Sequence, residues 1–360
     1  MRHTRGRVVE VETIQDFDRR LAAGAGSLAG WQLRGLDLRE RSEQVRAVDP
    51  GGALFLDCLL LAEDEVAVRA RGAVVAADTQ PTPPASHQAL YTAHELYDTP
   101  AYADSLDARI YAWSRRSHDR DASLAQALHD HAVDEALEAW VGGRALVGVM
   151  GGHATLRGSP EYADAAGLGH TLGRSYVVAT GGGPGAMEAA NLGAALSGRS
   201  SDDLDEALGL LARVTSFRPD IGAWAAVALE VLDRFPDPVD SLGIPTWHYG
   251  HEPSNPFATT IAKYFRNATR EATLLEVCRA GIVFLPGAGG TVQEIFQDAC
   301  ENYYADESSL APMVLVGRTY WTETLPAWPL LSSLARGRPM EGRIHLADSL
   351  AEAADVVSGA

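Results

Sequence analysis

Three apolar runs in the second half of the chain, Leu146–Met150, Tyr176–Ala179 and Gly281–Leu285, each stop at a glycine-rich turn and hand over to a helix-forming segment. Runs this short and this apolar read as buried strands, and the segments between them have helical length and spacing. Strands joined by helices pair in parallel, through right-handed crossovers. The fold class that follows is α/β: a Rossmann-like, doubly wound parallel sheet with helices on both faces. Ligands on such a sheet bind at the carboxyl ends of the strands, where all three glycine turns fall.

The turn after Gly281–Leu285 carries the most chemistry. It reads Pro286-Gly287-Ala288-Gly289-Gly290-Thr291 and runs into a helix through Glu294 to Cys300. Glycines let the backbone bend tightly and approach a ligand without a Cβ in the way. The first N–H groups of the helix have no internal partner, and the helix dipole favours negative charge there. Strand, turn and helix together therefore make an anion site, with phosphate the obvious occupant. Thr291-x-x-Glu294 also spells a capping box, a purely structural use of the same residues. The entropic cost of so glycine-rich a turn, which a simple cap does not need, favours the ligand.

Gly181-Gly182-Gly183-Pro184-Gly185-Ala186 formally matches the G-x-G-x-x-G/A dinucleotide fingerprint after a strand. The match is weak, because Leu146–Met150 already precedes it and the nearby acids Asp202, Asp203 and Asp205 lie in a polar segment, not at a strand end. A nicotinamide-dependent oxidoreductase is the weakest of the readings. A tight helix–sheet turn without a ligand is the plain alternative.

The chain divides into residues 1–100, a smaller N-terminal α+β region of unknown role without visible repeat, and 101–360, the nucleotide-binding domain. In the first, Val8–Val11 reads as a strand, Ile14–Leu21 as a helix, and Ala53–Leu61 and Val66–Val75 as buried strands; Thr79–Ala85, with its three prolines, reads as a linker. Helices are expected over Asp104–Ser117 and Ala122–Trp140. A helical insertion occupies about 199–240, with helices over Leu204–Val214 and Gly222–Phe235. Pro312–Gly317 adds a strand and Asp348–Val357 a closing helix.

A formal charge of -18 over 360 residues argues against a nucleic-acid surface, which needs clustered Lys and Arg. A single phosphate is compatible with it, since backbone amides hold it locally. No apolar run is long enough for a membrane span and no signal core follows Met1, so the expectation is a cytoplasmic protein. Cys58, Cys278 and Cys300 are scattered, which fits a reducing compartment. The pairs His129/His131 and His248/His251 with Glu252 show no third convergent ligand, and no metal is expected.

Gly181-Gly-Gly-Pro-Gly-Ala-Met-Glu-Ala-Ala-Asn191 and Pro286-Gly-Ala-Gly-Gly-Thr-Val-Gln-Glu294 resemble the paired GGGxxG-M-E and PGGxGTxxE motifs of the Lonely Guy (LOG) family. That family, once called "lysine decarboxylase-like", includes cytokinin riboside 5'-monophosphate phosphoribohydrolases and related nucleotide nucleosidases. The resemblance covers about 143–360, the insertion excepted. Ala288 stands where the motif has its second glycine. Arg270 is followed by Glu271 where the family has an Arg-Lys pair, and lies one residue further from the motif; Arg266 is the reserve. Lys263 is the only lysine, and no pyridoxal-lysine signature accompanies it.

The resemblance implies hydrolysis of a nucleoside 5'-monophosphate, AMP-like or a cytokinin riboside monophosphate, to free base and ribose 5-phosphate, without a cofactor. Glu294 and Arg270 become the catalytic pair. Pro286, Gly287, Ala288, Gly289, Gly290 and Thr291 hold the 5'-phosphate; Gly181, Gly182, Gly183, Gly185 and Met187 line the ribose-phosphate cleft; Gly151, Gly152 and His153 close it. Glu188 contacts ribose or base, or is simply an acid favoured in a first helical turn. The resemblance further implies a homodimer or higher homo-oligomer. A non-catalytic nucleotide or cofactor carrier on the same fold is the alternative from another class.

Overall fold

The computed structural model describes residues 9–76, 89–116, 120–248 and 252–359. The linker read over Thr79–Ala85 lies outside them, as does His251. The chain forms two compact units, one of residues 1–89 and 112–133, the other of 90–111 and 134–360. Residues 90–100 thus belong with the second unit, and 112–133 return to the first.

The first unit contains β1 (Val9–Val11), α1 (Ile14–Ala22), β2 (Trp31–Arg34), α2 (Ser42–Ala47), β3 (Leu54–Leu56), α3 (Ala62–Ala70) and β4 (Val74–Ala76). The strands pair in parallel in sequence order, β1-β2-β3-β4, so this region is itself a parallel α/β unit. It is also a repeat, which the residue types conceal. Gly30, Gly52 and Gly72, spaced by 22 and 20 residues, each adopt a left-handed φ just before a strand and hydrogen-bond in series at 3.1 Å. What repeats is a backbone geometry and an apolar inward face of Leu33, Phe55 and Val75. Val66–Val75 is not one strand. Glu63, Asp64 and Glu65 start helix α3, whose Val68 is buried and Val66 exposed; Gly72 ends the turn after it and only Val74–Ala76 is extended. Ala53–Leu61 shortens to Leu54–Leu56 because Asp57 turns left-handed, at φ 50°.

Next come α4 (Ala93–Leu96), α5 (Leu106–Arg116) and α6 (Arg120–Val141). The second unit then alternates β5 (Leu146–Met150), α7 (Pro160–Leu172), β6 (Val177–Thr180), α8 (Ala186–Ala195), α9 (Ser201–Leu211), α10 (Ile221–Arg234), β7 (Ser241–Gly243), β8 (Thr260–Ile261), α11 (Asn267–Val277), β9 (Ile282–Phe284), α12 (Gly289–Tyr304), β10 (Met313–Val316), α13 (Ala327–Ala335), β11 (Ile344–Ala347) and α14 (Leu350–Ser358). Its seven strands are all parallel, in the order β11-β10-β9-β5-β6-β7-β8. The fold is Rossmann-like α/β. Helices α9 and α10 form the expected insertion and bury Leu204, Ala207, Leu211, Ala228 and Val231 in the main core.

The strand order fixes where a ligand can enter. From β5 the chain winds outward through β6, β7 and β8, then returns to β9 on the other side of β5. β5 and β9 therefore flank the topological switch point, where diverging connections leave a crevice at the strands' carboxyl ends. Met150 pairs with Phe284, so the two strands end level. Their loops meet: Gly152 N–H donates to Pro286 O at 3.3 Å.

Candidate functional site

A cavity of about 770 Å³ opens over this switch point, a size that accommodates a small organic ligand. Its walls are the β5 loop from Gly151 to Leu156, the N-terminus of α7, Met187 of α8, Arg270 and Glu271 of α11, and the turn from Pro286 into α12.

Helix α12 begins earlier than its capping-box reading requires. Its N-cap is Ala288, which makes no side-chain cap, and Gly289 and Gly290 are already helical. Thr291 is thus the third helical residue and Glu294 the sixth, so neither serves as a cap partner. The first-turn amides are left to the cavity, which Gly287, Ala288, Gly290 and Thr291 line. Gly287 is required for close approach: a Cβ there would stand 2.1 Å from Thr291 Oγ1. Tyr320, for which the sequence carries no signal, also lines the cavity and braces the turn by donating to Gly287 O at 2.5 Å.

Glu294 lies one helical turn deeper, buried, with Arg270 Nη1 3.8 Å from its Oε1. Burial raises the Glu294 carboxyl to about 7, with Arg270 pulling it down and Glu271 pushing it up. Arg270 is fixed: Nε donates to Ile244 O at 2.7 Å and Nη2 to Gly181 O at 3.2 Å. Arg266, exposed at the N-cap of α11, does not line the cavity. Glu271 accepts from Asn267 at 2.6 Å and from Gln293.

The second glycine turn sits behind the cavity wall. Of its motif residues Met187 lines the cavity, whereas Gly181, Gly182, Gly183 and Gly185 do not. Gly181 makes room for Arg270 and Met187: a Cβ there would stand 2.8 Å from Arg270 Nη2 and 2.9 Å from Met187 Sδ. Asn255, which sequence reasoning passed over, donates to Gly183 O and Asn191 Oδ1 and so ties this turn to the segment before β8. Glu188 is directed elsewhere. It is 1% exposed and accepts from Arg157 Nε at 2.8 Å and Nη2 at 2.5 Å. His153 lines the cavity at its rim, 3.7 Å from Glu252.

The assembled site offers an anion-binding helix terminus above a desolvated carboxyl poised near neutrality beside a fixed guanidinium. That combination suits holding a phosphorylated ligand and stabilising positive charge, or moving a proton, about one turn below the phosphate. Among the described residues no cluster of three His, Cys, Asp or Glu side chains is placed to hold a metal, and no helix is long and apolar enough to cross a membrane.

No protein-family model matches the sequence, and no curated protein matches it. Some solved structures are similar to part of the chain. The molybdenum cofactor carrier protein of Chlamydomonas reinhardtii is similar at 17% identity over 60% of this chain and 97% of that one, with a TM-score of 0.36. The molybdenum cofactor binding protein of Rippkaea orientalis is similar at 16% identity over 60% and 96%, again with a TM-score of 0.36.

Proposed function

We propose that the second unit is a nucleoside 5'-monophosphate N-glycosidase of the LOG type, releasing free base and ribose 5-phosphate. The observation that carries this reading is the pairing of buried Glu294 with Arg270 directly beneath the amide-lined turn of Gly287–Thr291. The 5'-phosphate sits against the first turn of α12. Glu294 stands four residues on from Gly290, about 6 Å along the axis, which sets the carboxylate at the depth of the ribose. As the C1'–N bond breaks, positive charge spreads over C1' and the ring oxygen, and ionised Glu294 stabilises it. Water adds its oxygen to C1', and its proton leaves on the base.

Arg270 acts through Glu294. Two of its nitrogens are committed to Ile244 O and Gly181 O, so it holds the carboxylate in place and lowers its proton affinity without swinging onto a leaving base. The same anchoring favours a second reading, a carrier that retains an intact nucleotide. One experiment separates the two: the purified full-length chain is incubated with AMP, GMP, CMP, UMP and a cytokinin riboside monophosphate, and free base is measured by chromatography. Release of base from at least one, lost in Glu294→Gln, supports hydrolysis. Tight retention of nucleotide with no base released supports the carrier, and neither binding nor release overturns both.

A further inference from the structure

A second, smaller cavity of about 250 Å³ lies against the first and shares its wall from His153 to Leu156. The insertion builds its far side with the loop Thr215–Arg218 and Trp224 of α10. The loop is tied to the shared wall, since Arg157 N–H donates to Thr215 O at 3.0 Å. In a chain of charge -18 this lining is net cationic: Arg157 and Arg218 face a single carboxylate, Glu188.

Arg157 is 2% exposed, and such burial is tolerated because Glu188 and the Trp224 carbonyl accept three of its five N–H groups. Its guanidinium also lies 4.5 Å from the Trp224 ring centroid. The pair is thus a rigid floor, flanked by Thr215 and Ser216. Arg218, exposed at the mouth and 5.3 Å from the Phe217 ring centroid, adds a charge free of that constraint.

The geometry points to a second anion site, for a phosphate-class group, between the Arg157–Glu188 pair and Arg218. It is separate from the α12 turn, and it gives the insertion a binding task. The group arrives either as a second phosphate on the ligand in the main cavity or as a free anion.

The test uses the full-length Glu294→Gln protein, which cannot turn over a nucleotide by the mechanism above, and isothermal titration. Inorganic pyrophosphate is titrated alone and in the presence of saturating AMP. The site predicts that pyrophosphate still binds with AMP present, and that Arg218→Ala weakens this binding about tenfold or more while leaving AMP affinity unchanged. Adenosine 3',5'-bisphosphate then distinguishes the sources. Tighter binding than AMP, with the gain lost in Arg218→Ala, identifies a phosphate carried by the ligand; equal affinity identifies a free anion. Should AMP fail to bind at all, Arg218-dependent binding of pyrophosphate upholds this site while the nucleotide reading of the main cavity falls. Pyrophosphate that merely competes with AMP, or that binds regardless of Arg218, overturns the proposal. Because Arg218 is exposed, loss of folding does not confuse the result.

Discussion

Glu294→Gln should make the protein more stable at alkaline pH while abolishing the proposed hydrolysis. The carboxyl titrates at about 7 in the folded chain, against 4.5 when unperturbed, chiefly because it is buried. Below the lower value it is protonated in both states and burial costs no ionisation energy. Between the two the unfolded chain releases its proton first, so the folded state loses relative stability as pH rises, and the loss is complete above about 7. At ~1.4 kcal/mol for each pH unit separating the two values, the ionised carboxylate costs the fold roughly 3 kcal/mol near pH 8. A glutamine stands in for the protonated acid and never ionises. Urea denaturation of parent and variant, followed by circular dichroism from pH 4 to pH 8, should show coincident stabilities at the acid end and a gap opening to roughly 3 kcal/mol at the alkaline end. Asp298 and Glu301, whose burial also raises them, are present in both proteins and cancel in the difference. A gap that is absent, or that is the same at both ends of the range, would refute the assignment of Glu294 as a desolvated acid.

Other substitutions probe the remaining parts. Arg270→Met removes the cation that draws Glu294 downward, so the acid limb of the kcat/KM profile should move to higher pH and kcat/KM fall roughly 100-fold. Gly287→Ala drives a methyl into Thr291 and should weaken AMP binding about tenfold or more by calorimetry, with the circular dichroism spectrum retained. Asp107→Leu strips Lys263, the sole lysine, of its 2.5 Å ion-pair partner in a buried site and should cost roughly 3–5 kcal/mol in urea denaturation. Adding Lys263→Met to that variant should recover the part of the loss due to the stranded ammonium, while Trp247 Nε1 and Tyr102 OH, which also donate to Asp107 at 2.9 and 2.8 Å, still lose that acceptor.

The sheet of the second unit was legible because its central strands are largely apolar: Leu146–Met150 lies where the residue pattern places it, Val177–Thr180 falls one residue on from the expected Tyr176–Ala179, and the insertion's helices fall within a few residues of their expected bounds. Two of the elements missed have too few residues to show a period. Ser241–Gly243 and Thr260–Ile261 are strands of three and two residues, held by their neighbours in the sheet and by Ser241 and Thr259 bonding across to one another. In the first unit the error ran the other way. Three apolar valines, Val66, Val68 and Val75, suggested one strand, although the acidic first turn of α3 and Gly72 decide the local structure between them.

At the candidate site, residue type identified what lines the cavity better than what holds those residues in place. Glu294, Arg270 and the Gly287–Thr291 turn were recognisable because each carries its chemistry in its own side chain or its own glycine. Their supports are defined only by contacts across the fold. Tyr320 reaches Gly287 from 33 residues away, Ile244 and Gly181 fix Arg270 through carbonyls that any residue could supply, and Arg157 claims Glu188 across 31. Glu188 shows the consequence most directly. Its place in the first turn of a motif helix was compatible with a ligand contact, but the burial of Arg157 requires a carboxylate partner, and a side chain spent on neutralising that charge is not free to meet a ribose. The acid left for the proposed stabilisation of an oxocarbenium is therefore Glu294, whose ion-pair partner Arg270 is 3.8 Å away and leaves it able to gain and lose its proton near neutrality.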